Sequence, residues 1–515
     1  MIKETFTENG KVRGIPAADP RIIAYKGIPY AAAPVGDLRW KAPQPAPDWE
    51  GVRDCSRFGP IAMQAPPGLA ENIYKYEWNV DPEIEMNEDC LWLNVWTPAK
   101  TADEKLPVFV WFFGGGLLEG NPAEMEFNGE RIARRGIVVV TINYRVNVFG
   151  FLAHPEITAE SPDFPTNFGL LDQKFSLEWV KRNIAAFGGD PNCVTIGGQS
   201  AGGRSVQCEL VSPLTEGLFD RALCMSGIRY GGYTYSDHGF CRSLEKAEED
   251  GLDFFKFAGY KNLAEARAAS AEDLRDAFSA YAGLLPDSKP PRKMWAPVID
   301  GNFITGHFSE QIIAGDRHWV PLMMSNTASE VTARPEVSSV EELADLAASL
   351  YGDRAEEFMK VVAADTLDEM LDKASYSPME LGMRLYFEAG QKAHPEIKNW
   401  GAQFDAEIPG PDHPGTFHSS DLWFVFETLA SCSRPFVGKH YDLARQMCNY
   451  LCNFIKSGDP NGVDHDGVPM PVWNPASGGG AINAMWFRDS GAACFPDAPD
   501  PMTAIVTDVY TETQT

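Results

Sequence analysis

Residues 193–203 read Cys-Val-Thr-Ile-Gly-Gly-Gln-Ser-Ala-Gly-Gly, and this stretch decides the fold. Cys193–Ile196 reads as a strand that runs straight into Gly198-Gln199-Ser200-Ala201-Gly202, a G-x-S-x-G. A serine on a sharp, strained turn between strand and helix stands its hydroxyl clear of the sheet. The glycines on either side remove side chains that would collide with the neighbouring strand and helix. The Ala201 amide, at the start of the following helix, is placed to face a developing oxyanion. A bare G-x-S-x-G is a weak signal in a long chain; directly after a strand it is specific.

Upstream, Pro107–Phe113 (PVFVWFF) and Ile137–Ile142 (IVVVTI) are continuous apolar runs, the pattern of strands buried on both faces of a parallel sheet. Glu130–Arg135 between them reads as a short crossover helix, and Leu170–Phe187 as a longer amphipathic one. Strand, helix, strand, tight turn, helix is the grammar of an α/β protein. Downstream the texture changes to charged helical segments, Ser243–Ala258, Ala264–Tyr281 and a block over Ser339–Ala393. These are expected to be cap-like helical insertions, roughly 230–290 and 335–395. Strand-like pieces return at Val320–Ser325 and Leu422–Phe426. With no linker, low-complexity tract or repeat to cut it, the whole chain, 1–515, is expected to form one large domain.

The 515 residues carry 44 Lys+Arg against 72 Asp+Glu, a formal charge of −28. Such a surface repels phosphate backbones and anionic lipid, so no nucleic-acid partner is expected. No stretch approaches the roughly 18 apolar residues of a membrane-spanning helix. The N-terminus lacks the apolar core of a signal peptide. The ten cysteines lack zinc-site or CxxC spacing, and reduced thiols in the cytoplasm are the expectation. A secreted protein with its leader removed would look the same. Neither a metal nor an organic cofactor is expected, and nothing in the sequence sets the oligomeric state.

Gly114-Gly115-Gly116 ends the PVFVWFF strand and offers side-chain-free amides for the second half of an oxyanion hole. Where such loops usually carry His before the glycines, this one carries Phe113, which leaves the amides in place. In proteins with this serine turn the chain order is nucleophile, acid, histidine. If Glu330 is the acid, that order leaves His394, His413, His418, His440 and His465. His418, in Gly415-Thr416-Phe417-His418, sits on a loop where an imidazole could reach Ser200; His413, in the Pro-rich turn Pro409–Pro414, is the decoy.

These residues resemble one family, the type B carboxylesterases, which include cholinesterases, bile-salt lipases and bacterial p-nitrobenzyl esterases. The resemblance runs from Gly27-Ile28-Pro29-Tyr30-Ala31 and Pro34–Trp40 through Glu88–Pro98, Gly169–Gln173 and Phe187–Pro191. Past the serine turn it continues with Pro297–Gly301, Asn453-Phe454 and Gly458–Gly462. It implies an α/β-hydrolase fold, with a mixed, mostly parallel central sheet flanked by helices. It implies a Ser200, Glu330, His418 triad, an oxyanion hole of the Gly115, Gly116 and Ala201 amides, and substrate contacts from Gln199, Leu117, Trp78 and Trp295. It implies two structural ion pairs, Arg39 with Glu88 and Arg145 with Asp172. The implied activity is hydrolysis of small neutral carboxylic esters through an acyl-enzyme. The alternatives are the same triad acting on thioesters, lactones or amides, and a binding protein that keeps the fold without the chemistry.

The departures from the family pattern are informative. Around the acid the family shows a glycine, polar residues, then Asp-Glu-Gly; here Ser325, Ser329 and Val331 stand instead. The family's first disulfide would pair Cys90 with a residue that is Ala62 here, which fits a reduced, intracellular enzyme. Gln199 replaces a frequent Glu and removes an anion beside the nucleophile. Trp78 resembles the choline-binding tryptophan at an offset spacing. Of the aromatic gates that narrow a cholinesterase acyl pocket, two positions hold Pro291 and Lys293, and only Trp295 remains. An open gate is expected to admit acyl chains of four or more carbons.

Overall fold

The computed structural model describes residues 1–66, 73–78, 83–231, 233, 241–284, 296–476 and 481–512. Its centre is an eleven-stranded sheet. In chain order the strands are β1 (Ile15–Pro16), β2 (Ile23–Pro29), β3 (Trp92–Thr97), β4 (Leu106–Phe112), β5 (Val138–Ile142) and β6 (Gly189–Gln199). They continue with β7 (Arg221–Met225), β8 (Leu322–Thr327), β9 (Asn399–Asp405), β10 (Ile482–Arg488) and β11 (Gly491–Asp497). The spatial order is β11-β10-β9-β8-β7-β6-β4-β5-β3-β2-β1. Every pairing from β5 across to β10 is parallel. The flanking pairs β10–β11, β5–β3, β3–β2 and β2–β1 are antiparallel. This is the mixed, mostly parallel sheet that the family resemblance implied, with parallel strands where the continuous apolar runs predicted them. The reason is plain at β4 and β5, where Val108–Phe112 and Val138–Ile142 are buried without alternation because helices cover both faces.

The predicted crossover helix forms over Glu130–Ala133 and the amphipathic one over Phe168–Asn183, continued by a 3₁₀ turn, Ile184–Phe187. The segment expected as one helix, Ala264–Tyr281, is two, Leu263–Ala268 and Ala271–Ala282. Ser270 separates them because its hydroxyl accepts from the Asp273 amide and caps the second. Helices Val340–Tyr351, Ala355–Val362 and Leu367–Ala374 share a satellite core built on Leu343, Phe358 and Val362. The last helix, Pro501–Glu512, joins that core through Met502 and Val506.

The strand-like reading of Leu422–Phe426 is wrong. Leu422–Val425 is a helical turn in which the Val425 amide donates to the Asp421 carbonyl and the Phe426 amide to that of Leu422. All four side chains are buried, and a short apolar run buried on every side carries no period to tell strand from helix. Both implied ion pairs are present: Arg39 grips Glu88 at 2.5 and 2.7 Å, and Arg145 grips Asp172 at 2.7 and 2.8 Å, all four side chains buried. Among the described residues, no helix is long and apolar enough to cross a membrane.

Candidate active site

Ser200 follows the C-terminal end of β6 and precedes helix Ala201–Val211. Its backbone lies at φ 57° and ψ −122°, a strained conformation for a residue with a side chain. The turn survives because its surroundings over-determine it. The Ser200 amide donates to the Met225 carbonyl on β7, and the Ser200 carbonyl accepts from the Arg204 amide. The flanking glycines are obligatory: a Cβ on Gly198 would stand 2.3 Å from the Gly202 carbonyl oxygen, and one on Gly202 would stand 2.1 Å from that of Phe112.

Glu330 sits just past the end of β8, and His418 lies on the loop between β9 and helix Leu422–Val425. An isolated parallel bridge, Ser329 with Phe417, draws the two loops together, with the Ser329 amide donating to the Thr416 carbonyl. The result is a continuous relay. His418 Nε2 lies 2.8 Å from Ser200 Oγ, and its Nδ1 lies 2.7 Å from Glu330 Oε2. The Glu330 side chain is only 2% exposed, and its Oε1 accepts from the Thr327 amide at 3.2 Å and the Thr327 hydroxyl at 3.1 Å. Burial alone pushes the His418 imidazolium down, but the hydrogen bond and charge of Glu330 outweigh it and leave the pKa raised. Burial pushes Glu330 up, and the bond and charge of His418 overcome that and hold it below the usual carboxylate range. With Glu330 ionised, Nδ1 carries the proton and Nε2 is free to accept from the serine.

The glycine loop after β4 faces the serine. Gly115 at φ 101° and Gly116 at φ 69° take backbone conformations that favour glycine. Among the described residues, the amides of Gly115, Gly116 and Ala201 have no intramolecular acceptor. The loop is fixed from behind: Gln64 bonds both the amide and the carbonyl of Gly120, and Asn147 donates to the Leu118 carbonyl. Phe113, where the pattern usually has His, stacks on Tyr144 at 4.2 Å, and the Tyr144 hydroxyl donates to the Phe113 carbonyl. Leu117 has φ 63° and packs its side chain into the main core.

Gln199 is buried against this centre. Its Nε2 donates to Ser419 Oγ at 2.7 Å and stands 3.5 Å from His418 Nε2. Trp78 meets Phe417 edge-on at 5.9 Å and Tyr74 at 5.1 Å, and the Tyr74 hydroxyl donates to the His418 carbonyl at 3.3 Å. Trp78 therefore walls the histidine loop. Pro291, Lys293 and Trp295 lie outside the described residues. His413 is in its turn at φ 45°, and His440 accepts from the Val437 amide; neither touches the relay. Sequence reading missed Ser419, Tyr74 and Asp421. Asp421 is fully buried, both carboxyl oxygens lack partners among the described residues, and burial followed by the charge of Glu330 pushes its pKa up to about 7. Its position three residues after the histidine was the one available signal. Among the described residues, no cluster of three or more metal-binding side chains occurs.

Comparison with known proteins agrees with this geometry. The model of the carboxylesterase family matches residues 3–342. The chain is 31% identical over 474 residues to a fumonisin B1 esterase of Sphingopyxis macrogoltabida, covering 88% of this chain and 82% of that protein. It is 30% identical over 471 residues to the para-nitrobenzyl esterase of Bacillus subtilis, covering 88% and 90%. A solved PNB esterase superposes with a TM-score of 0.77 at 26% identity, over 98% of this chain and 100% of that one. A strained serine at a strand end, a histidine and a buried carboxylate in relay, and a family match over most of the chain agree: the protein belongs to the carboxylesterase family and is a carboxylic-ester hydrolase.

Proposed function

We propose that Ser200 is the nucleophile, His418 the general base and acid, and Glu330 the residue that orients and charges the imidazole. The observation that carries this reading is the unbroken relay of 2.8 Å from Ser200 to His418 and 2.7 Å from His418 to Glu330. As Ser200 Oγ attacks the ester carbonyl, its proton passes to His418 Nε2, and the imidazolium is stabilised by the Glu330 carboxylate. The carbonyl oxygen, now carrying the negative charge, is received by the Gly115, Gly116 and Ala201 amides. His418 then protonates the leaving alcohol, and water repeats the sequence on the acyl-enzyme to release the acid.

The substrate is a small neutral ester. The amide of Gln199 puts no anion beside the nucleophile, and a chain charge of −28 repels anionic molecules. With no anion at position 199, choline esters are expected to gain no advantage over uncharged isosteres, with Trp78 serving as an aromatic wall beside Phe417. All ten cysteines are free thiols, which supports an intracellular setting.

Ser200→Ala tests the reading. It is expected to abolish hydrolysis of p-nitrophenyl esters, by on the order of 10⁶ in turnover, while leaving the circular dichroism spectrum unchanged. An organophosphate is expected to label Ser200 stoichiometrically in the parent. An active Ser200→Ala enzyme, or label on another residue, would overturn it.

A further inference from the structure

Ser419 is an odd choice for the residue after the histidine. It lies at φ 79°, where glycine is at home and a side chain is strained. It is only 7% exposed, so its hydroxyl is not there for water. What the hydroxyl does is accept the Gln199 amide at 2.7 Å. The same amide nitrogen stands 3.5 Å from His418 Nε2, the atom that must accept the Ser200 proton. Nε2 has one lone pair and the amide two N–H groups: one goes to Ser419, and at 3.5 Å the other reaches Nε2 only at the outer limit of a hydrogen bond, too long to compete with Ser200 at 2.8 Å.

Gln199 has little room to move elsewhere. A Cβ on Gly114 would stand 3.2 Å from its Oε1 and 2.8 Å from its backbone oxygen, so the glycine loop closes over its other side. Its side chain is thus enclosed by the glycine loop, the histidine and Ser419. Resting on the reading of His418 as base, we infer that Ser419 is a positioning residue: its hydroxyl holds the Gln199 amide away from His418 Nε2 and keeps that lone pair for Ser200. Backbone strain at Ser419 accompanies a hydroxyl that takes the amide, which glycine could not supply. The bond also ties the end of β6, which presents the nucleophile, to the loop that presents the base.

The experiment is a double-variant cycle on p-nitrophenyl acetate with Ser419→Gly and Gln199→Met. Glycine suits φ 79°, so Ser419→Gly is expected to keep or raise the melting temperature. Its kcat is expected to fall roughly tenfold, part of the 10²–10⁴ that a positioned base supplies, with KM within threefold. In the Gln199→Met background, where no amide remains to be diverted, Ser419→Gly is expected to change kcat by less than twofold. A merely structural role would give the same loss in both backgrounds. An equal loss in both, or a kcat within twofold of the parent for Ser419→Gly alone, would overturn the proposal. Organophosphate labelling of the parent separates the two claims: label on Ser200 with either of those results sinks the positioning role alone, whereas no label sinks the relay reading and this proposal with it.

Discussion

Glu330→Gln is the substitution whose outcome the geometry constrains most tightly. In the parent both carboxylate oxygens accept, from different donors: Oε2 from His418 at 2.7 Å, Oε1 from the Thr327 amide and hydroxyl at 3.2 and 3.1 Å. A glutamine has one oxygen and one NH₂ to divide between these two sides. If the NH₂ faces Thr327, it opposes the Thr327 amide, which is left without an acceptor at about 1–3 kcal/mol, and the Thr327 hydroxyl must turn round to accept. If it faces His418, Nδ1 must become an acceptor and the ring proton moves to Nε2, where it blocks the base. The Thr327 side offers two groups to one oxygen, so the second arrangement wins. A triad held in the wrong tautomer typically loses about 10⁴ in turnover, about 5 kcal/mol of transition-state stabilisation. KM is expected to stay within threefold, since a side chain 2% exposed does not reach substrate. The fall is therefore expected in kcat, measured with p-nitrophenyl acetate from pH 5 to 9. The acid limb of the residual activity is expected to move to lower pH, because the bond and charge that hold the His418 pKa up are gone. A kcat within tenfold of the parent, or a loss confined to KM, would refute the assignment of Glu330.

Two further substitutions probe buried charge. Asp421→Asn is expected to raise the melting temperature by an amount that grows with pH: the folded carboxyl titrates near pH 7 and an unfolded one near pH 3.9. The parent thus holds an extra proton when folded, and stability present below about pH 4 is lost as pH rises through 7. A melting-temperature gain of the same size at pH 4.5 and pH 8 would contradict this. Arg145→Met is expected to cost about 3–5 kcal/mol by leaving the Asp172 carboxyl, whose pKa burial already pushes up, without its partner in the core; a denaturation midpoint unmoved from the parent's would count against that pair as a structural element.

The serine turn and the glycine loop that faces it were legible because their requirements are local. Gly198, Gly202 and Gly115 stand where an added Cβ would meet backbone at 2.3, 2.1 and 2.2 Å, and sequence records such demands directly. The parallel strands were legible for a related reason, since burial on both faces leaves an unbroken apolar run. His418 was narrowed by chain order and loop context. The helical turn at Leu422–Val425 was misread because its environment, and not its residues, sets its conformation. Ser419 and Tyr74 were invisible because their significance lies in contacts with groups distant in sequence, and the burial of Asp421 is set by packing that its place after the histidine only hints at. The Ser419 partner, Gln199, is 220 residues away.

Glu330 is the instructive case, because the residues around it depart from the family pattern and the relay is intact. The departures fall where the relay makes no demand on side-chain identity. Ser325 lies within β8, pairing with Met225 and Ala402 through backbone, and its carbonyl accepts from the Ser226 amide. Ser329 reaches the histidine loop through its own backbone, in the bridge to Phe417 and the bond to the Thr416 carbonyl; its hydroxyl adds a contact to Thr416 Oγ1 at 3.2 Å. Val331, at 51% exposed, points to solvent. What aims the carboxylate is the sheet register that fixes the end of β8, the bridge that zips the Glu330 and His418 loops, and the Thr327 amide that orients Oε1. Each is a backbone interaction that many side chains permit, to which the Thr327 hydroxyl adds a side-chain contact at 3.1 Å. A motif built on side-chain identity therefore weakens here while the geometry it stands for does not. The acid of such a relay is better sought by its place after a strand and its bridge to the histidine loop than by its neighbours in sequence.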